Sequence, residues 1–222
     1  MFRRKSALPG FGFLTAAAVG GFLVCAPAAA QLPGDSAHWK SVMEVEGGNQ
    51  AAVGPMQTEI WLKAGNVRTK MQVMGMTRNM VKTGDTMYQW AEGEKTGMKF
   101  DTAVPQRRGG AGAGDYANRI DEYRTKGKKT GSEKIDGHPC DIYELTTAGR
   151  EGRERKETVW LATDLHNFPL KVVSESNGTK VTSRNSDVEF KAAIPDSMLK
   201  PPADVTFQDM SEMMKGMRPP GQ

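Results

Sequence analysis

Cysteine is nearly absent from this sequence. Of two in 222 residues, Cys25 falls in an N-terminal apolar run and Cys140 stands alone. No disulfide can therefore form beyond that run, and the fold must rest on its core. Histidine is as scarce. His38, His138 and His166 are the whole supply, and none belongs to a Ser-His-acid, Cys-His or His-Glu-x-x-His arrangement. His138 precedes Cys140 by two residues, but side chains two apart on a strand lack the close hydrogen bond that activates a thiol. Cys140 reads as a small buried hydrophobe. No pair of carboxylates can be assigned as general acid and base, so the expectation is no enzyme and no cofactor.

A surplus of charge is also missing. Three of the 30 Lys and Arg lie among the first five residues, which leaves 27 against 26 Asp and Glu. That balance gives no electrostatic case for nucleic acid. The basic start (Arg3, Arg4, Lys5), the apolar run Phe11 to Val24 and the Ala28-Ala29-Ala30 site form a secretory leader. The run is too short and glycine-broken to span a membrane. Val24 stands before Cys25 where a lipid-anchored protein needs a small residue. The expected product is a soluble periplasmic chain cleaved after Ala30, with 1–30 as signal peptide, 31–208 as one domain and 209–222 as a flexible Met-rich tail. About 190 residues can bury roughly 70% of their unfolded surface.

The chain is organised around Met56 to Trp90, which reads as four short strands. Ala64-Gly65, Met74-Gly75 and Thr83-Gly84 sit between alternating runs as hairpin turns. Two-residue turns set Leu62 opposite Val67, Ile60 opposite Thr69, Val73 opposite Met76 and Met80 opposite Met87, with Arg78 opposite Gln89. One face then collects Met56, Ile60, Leu62, Val67, Met71, Val73, Met76, Met80 and Met87. The other collects charged and polar residues, with Trp61, Tyr88 and Trp90 as its only large rings. A one-residue slip would turn every methionine to water, which fixes the register. The apolar face has two open uses: an ordinary core, or a cavity whose pliable methionines accept varied apolar shapes. A buried Arg78 on that face would need a partner.

His38 to Glu46 reads as a first strand and Thr96 to Asp101 as a sixth. The glycine-rich stretch Pro105 to Gly114 lacks the Lys-Ser/Thr ending of a phosphate loop, and is a plain loop. Asp115 to Lys126 is the good helix candidate, capped by Asp115, stopped by Gly127 and laid against the sheet's inner face. Five strands follow: Lys129 to Ile135, Cys140 to Thr147, Arg155 to Ala162, Leu170 to Ser176 and Thr179 to Phe190. Val159-Trp160-Leu161 is apolar on both faces, which suits a central strand. Asp204 to Gln208 can add an edge. The predicted class is mainly β (α+β), about eleven antiparallel strands in a curled sheet with one or two helices, because a flat sheet of that size would expose its apolar face. Arg124 to Lys129 and Arg150 to Lys156 are mixed-charge solvated faces. Met210, Met213, Met214 and Met217 fall at helical spacing and form the apolar side of a terminal helix. Thioethers also suit Cu(I), so the competing expectation is a periplasmic copper-binding protein using this tail, with Met74, Met76, His138 or Cys140 as candidate further ligands.

Several stretches resemble a known family. Thr58 to Arg68 (Thr-Glu-Ile-Trp-Leu-Lys-Ala-Gly-Asn-Val-Arg) and Gly84 to Tyr88 (Gly-Asp-Thr-Met-Tyr) are similar to the opening of the LolA-like periplasmic lipoprotein carriers. Gly131 to Glu144, Thr158 to Leu161 and Phe168 to Val172 resemble an exported domain family grouped beside the outer-membrane lipoprotein-sorting proteins. The resemblance covers most of Trp39 to Gln208. It implies an open half-barrel whose concave face, covered by helices, holds a lipid or a lipoprotein acyl chain. On that expectation Ile60, Leu62, Met71, Val73, Met76, Arg78, Met80 and Met87 line the ligand site. The expected partners are an apolar ligand and, in a third reading, an envelope protein docked on a sheet edge; the chain is expected to be a monomer.

Overall fold

A computed structural model describes residues 33–47, 54–102, 113–148 and 154–211, with side chains of the helix from residue 120 onward. The leader, the glycine-rich loop up to residue 112 and Met213, Met214 and Met217 of the tail lie outside the described residues. Six strands come first: β1 (Ser36–Glu46), β2 (Met56–Lys63), β3 (Asn66–Val73), β4 (Met76–Thr83), β5 (Thr86–Ala91) and β6 (Thr96–Asp101). The helix α1 (Ala113–Lys126) leads into β7 (Lys128–Ile135), β8 (His138–Ala148), β9 (Glu154–Ala162), β10 (Phe168–Ser176) and β11 (Thr179–Phe190). A 3-10 turn (Asp196–Leu199) and β12 (Thr206–Asp209) complete the described chain.

All twelve strands form one sheet in the order β12-β6-β5-β4-β3-β2-β1-β11-β10-β9-β8-β7. Strands adjacent in the chain mostly pair as neighbours, and two-residue turns join β2 to β3, β3 to β4, β4 to β5, β7 to β8 and β10 to β11, as alternating apolar residues between turn pairs dictate. The halves meet where β1 pairs antiparallel with β11, and β12 alone pairs in parallel, with β6. Interior β9 has Val159 and Leu161 fully buried, yet the middle of the sheet lies at β1 and β2 rather than there. The sheet bends without closing. One core cluster joins Ile60, Leu62 and Val67 of β2 and β3 to Cys140, Ala162, Phe168 and Leu170 of β8–β10. Trp39 meets Phe168 edge-on at 5.5 Å in its middle. Twelve flat strands could not bring those residues together.

The first two hairpins have the predicted register, Leu62 opposite Val67 and Val73 opposite Met76. The third does not. Thr83 pairs with Thr86, so the turn is Gly84-Asp85, Met80 faces Gln89 and Arg78 faces Ala91. The physical reason is backbone sterics. A Thr83-Gly84 turn of the usual hairpin type asks a β-branched residue for positive φ, whereas Gly84 (φ 54°) takes the first central position freely. The error is two residues, so no side chain changes face.

The second face departs from the expected solvated surface. After β11 the chain crosses back over it, and Ala192, Ile194 and Leu199 are buried beside Trp61. Lys63 Nζ ties this crossing down by donating to Ile194 O (3.0 Å) and Asp196 Oδ1 (2.7 Å). Phe207 of β12 then packs edge-on against Tyr88 (5.1 Å) and Trp90 (5.9 Å). The three rings of the outer face are thus the footings of the C-terminal segment.

β12 fits because Gly97 has no side chain: a Cβ there would lie 2.7 Å from Gln89 O and 2.7 Å from Phe207 Cε1. Gly97→Ala should lower the urea unfolding midpoint and cost about 1–3 kcal/mol; an unchanged midpoint would show that β12 yields freely. Asp209, at the end of β12, accepts from the Ser211 backbone and hydroxyl and pairs with Lys99, which holds its carboxyl down at about 2 from 3.8. A lowered folded value stabilises the fold above the unfolded pKa, and that stability fades as pH falls through the folded one. The melting-temperature advantage over Asp209→Asn should accordingly be present at pH 5, shrink as pH falls through 4 to 2 and be gone by about pH 1. A difference constant across that window would refute the linkage.

Candidate apolar-ligand face and its lid

Paired residues trace one face across the whole sheet. Met56 opposes Met43, Met43 opposes Ser183, Ser183 opposes Val172, Val172 opposes Val159, and Val159 opposes Tyr143. This one face is used in three ways. Over β8–β10 it is covered by α1, whose Tyr123 is buried with Leu145, Val159 and Leu161. In the middle it is closed by the bend, so Ile60 and Leu62 are fully buried core. Over β3–β6 it carries Met71, Val73, Met76, Met80, Met87, Met98 and Phe100 and is more open. Met76 is 55% and Met98 41% exposed.

The helix is fixed to its half by a buried carboxylate. Glu157, 1% exposed, accepts from Tyr123 Oη at 2.8 Å. Its other oxygen pairs with Arg155 at 2.7 Å, and Arg155 Nε donates to Ser174 Oγ at 2.9 Å. A buried charge is tolerated only with such partners. Sequence reasoning placed the helix but missed this anchor, because Glu157 sits at an inward position of an alternating strand and looks there like one more charge.

The eight residues expected to line a ligand site all project from the same face. The structure divides them. Ile60 and Leu62 belong to the closed core; Met71, Val73, Met76, Met80 and Met87 lie on the more open half. Arg78, expected to be buried, is exposed. Met98, Phe100 and Gln89 join the methionines, and strand alternation in Thr96–Asp101 carries the signal for the first two. The Gln89 amide donates to Met80 Sδ (3.7 Å) and Met87 Sδ (3.8 Å), weak acceptors. Lys82 shares this face but bends back to Gly84 O at 2.9 Å.

The remaining candidates stay apart. Cys140 is 1% exposed, burial pushes its thiol pKa up, and its Sγ reaches only His138 O at 3.5 Å. It is a protonated core thiol rather than a nucleophile. His138 Nδ1 turns instead to Asp164 at 2.9 Å. Among the described residues no group of three His, Cys, Asp or Glu could hold a metal.

On the outer face of β3–β5, where no site was expected, lies a polar cleft of about 540 Å³. It runs between Arg68, Asn79 and Trp90 and the crossing segment Lys200, Pro201 and Pro202. Burial pulls the Arg68 guanidinium below its ordinary pKa, with Glu92 opposing.

The fold and its faces define an open antiparallel half-barrel with one lidded apolar face. Residues 43–168 match the model of the family described as a domain of unknown function, DUF4412, and the chain belongs to that family. Its structure is similar to that of the lipoprotein LppX of Mycobacterium tuberculosis (11% identity, TM-score 0.43, 71% of this chain and 89% of that one). It is similar also to a LolA superfamily protein of Nitrosomonas europaea (14%, TM-score 0.37, 78% and 93%). In the MucA/MucB complex of Pseudomonas aeruginosa the matched chain is 16% identical, with TM-score 0.48 over 76% of this chain and 56% of that one. No curated protein matches.

Tyr123→Phe removes one hydrogen bond to a charged acceptor and should cost about 1.5–3 kcal/mol in chemical denaturation. A loss below about 0.5 kcal/mol would mean that the hydroxyl adds little to holding the helix.

Proposed function

We propose that this chain is an exported binding protein of the bacterial envelope that holds an apolar ligand, of the lipid or lipoprotein acyl-chain class, against the methionine half of its inner face. It is not an enzyme, needs no cofactor, and works as a monomer in the periplasm once the leader is removed after Ala30. The observation that carries this reading is the unequal use of one face. A helix and the sheet's own bend close the β8–β11 half, while Met76 and Met98 stand partly exposed in a field of methionines on β3–β6. Unbranched thioether side chains adjust to chains of differing length and unsaturation better than branched ones. Exposed apolar surface of this kind marks a place where something binds.

The energetics suffice. Burying a sixteen-carbon chain contributes on the order of 10 kcal/mol at about 0.8 per methylene, before the entropy of binding is subtracted. Met71, Val73, Met76, Met80 and Met87 would line the chain. Arg78 at the outer margin and the Gln89 amide would be free to meet its polar end, since thioethers are weak competitors for those hydrogens.

Native mass spectrometry of the mature protein, taken gently from the periplasm and extracted with solvent, should find phospholipid or acylated peptide near one-to-one. Palmitate uptake by the stripped protein should fall about tenfold in the double variant Met76→Lys, Met98→Lys, whose exposed positions spare the core. A protein that arrives bare and takes up no palmitate would overturn the proposal, and Cu(I) uptake by that protein would favour the methionine tail instead.

A further inference from the structure

The apolar face leaves the cleft on the opposite side of β3–β5 without a role. Its volume of about 540 Å³ falls in the range of small-molecule sites. One wall is the sheet, with Arg68, Asn79 and Trp90; the other is the crossing segment with Lys200, Pro201 and Pro202. Most of its charges are already matched. Lys70 pairs with Glu92 at 3.3 Å and Lys95 with Asp204 at 2.6 Å. Arg68 and Lys200 form no ion pair of their own among the described residues, although Glu92 acts on Arg68 and Lys200 on Asp196, and an exposed Glu94 also lines the cleft.

Arg68 is the unusual member. It is half-buried, and its guanidinium carbon lies 5.8 Å from the centre of the Trp90 ring. Two of its five N–H groups are engaged, NH1 with Met198 O (3.1 Å) and NH2 with Asn79 Oδ1 (3.2 Å). Nε is buried without a partner, and Arg68 makes no ion pair with a carboxylate among the described residues. Both acceptors it does have are neutral. Tying down the crossing segment would need only a neutral donor. A guanidinium costs more to desolvate than that, and the cost is offset when an anion completes it. The Trp90 ring on one wall and Pro201 and Pro202 on the other offer apolar surface, so the complement to this cleft is an oxyanion on a compact apolar body.

We infer that the cleft binds a small organic oxyanion, a carboxylate or phosphate ester, with Arg68 and Lys200 supplying the charge and Trp90 and Pro201 the apolar surface on its two walls. The site is distinct from the methionine face and does not depend on it. The oxyanion could arrive dissolved or as a lipid headgroup. Titration calorimetry of the mature chain with phenyl phosphate and with benzoate, beside co-sedimentation with phosphatidylglycerol vesicles, separates the two. Arg68→Met and Lys200→Glu should each weaken the binding about tenfold or more. Lys200 is exposed, so its variant keeps the unfolding midpoint and preserves the test should Arg68→Met loosen the crossing segment. Met76→Lys should leave this binding unchanged. Phenyl phosphate or benzoate binding lost in both variants supports a dissolved ligand. Vesicle binding alone, lost in both, supports a headgroup. Failure of all three probes to bind at millimolar concentration, or binding that survives both substitutions, overturns the inference.

Discussion

The core that joins the two halves of this molecule depends on the antiparallel seam between β1 and β11. The pairing runs from Ala37 opposite Phe190 to Glu46 opposite Lys180, and the Ser41 and Ser183 hydroxyls that meet across it are 142 residues apart in the chain. Each meander alone is a run of local hairpins with one greasy side, and a sheet that buries nothing has little to oppose its conformational entropy. Joined at the seam, the two can bend toward each other. Trp39 then reaches Phe168, and the core closes around Ile60, Leu62, Cys140 and Leu170. Pairing of such long range is slow to form, and the core that spans it cannot be complete without it.

The bend has an unequal result for the two halves. On the β7–β11 side the inner residues are Leu, Val and Tyr, shapes that pack a helix closely, and the buried Glu157 fixes that helix at one place. On the β3–β6 side the same alternation places methionines. Methionine fills irregular space without specifying it, so packing specifies this half less closely than the other. That difference in packing chemistry, more than the sheet's outline, separates the helix-covered half from the more open one.

Local pairing was legible in the sequence because hairpin geometry is written in neighbouring residues. The Ala64-Gly65, Met74-Gly75 and Asn177-Gly178 turns have the positive φ their types require at both central residues. The Gly84-Asp85 turn was misplaced because two overlapping dipeptides competed, and only the steric cost of positive φ at Thr83 decides between them. The alternating face of Met71, Val73, Met76 and Met80 was likewise legible. Which part of that face would be closed was not. Ile60 and Met76 obey the same period, and only the bend across the seam buries one and leaves the other partly open. Arg78 looked buried for the same reason.

The outer face shows the same limit from the other side. Trp61, Tyr88 and Trp90 are too large to leave bare amid Arg68, Lys70 and Asn79, and in hindsight three rings on a polar face signal a covering segment. The pattern could not say which segment, because the cover comes from residues 192–207, more than a hundred positions away. Prolines 195, 201 and 202 keep that segment from joining the sheet as it crosses, and it pairs only at the far edge, in parallel with β6. A chain that left β11 by a hairpin would meet β11's free edge, but β1 already occupies it. The seam therefore sends the C-terminal segment over the face instead, and so creates the cleft lined by Arg68 along with the cover for the three rings.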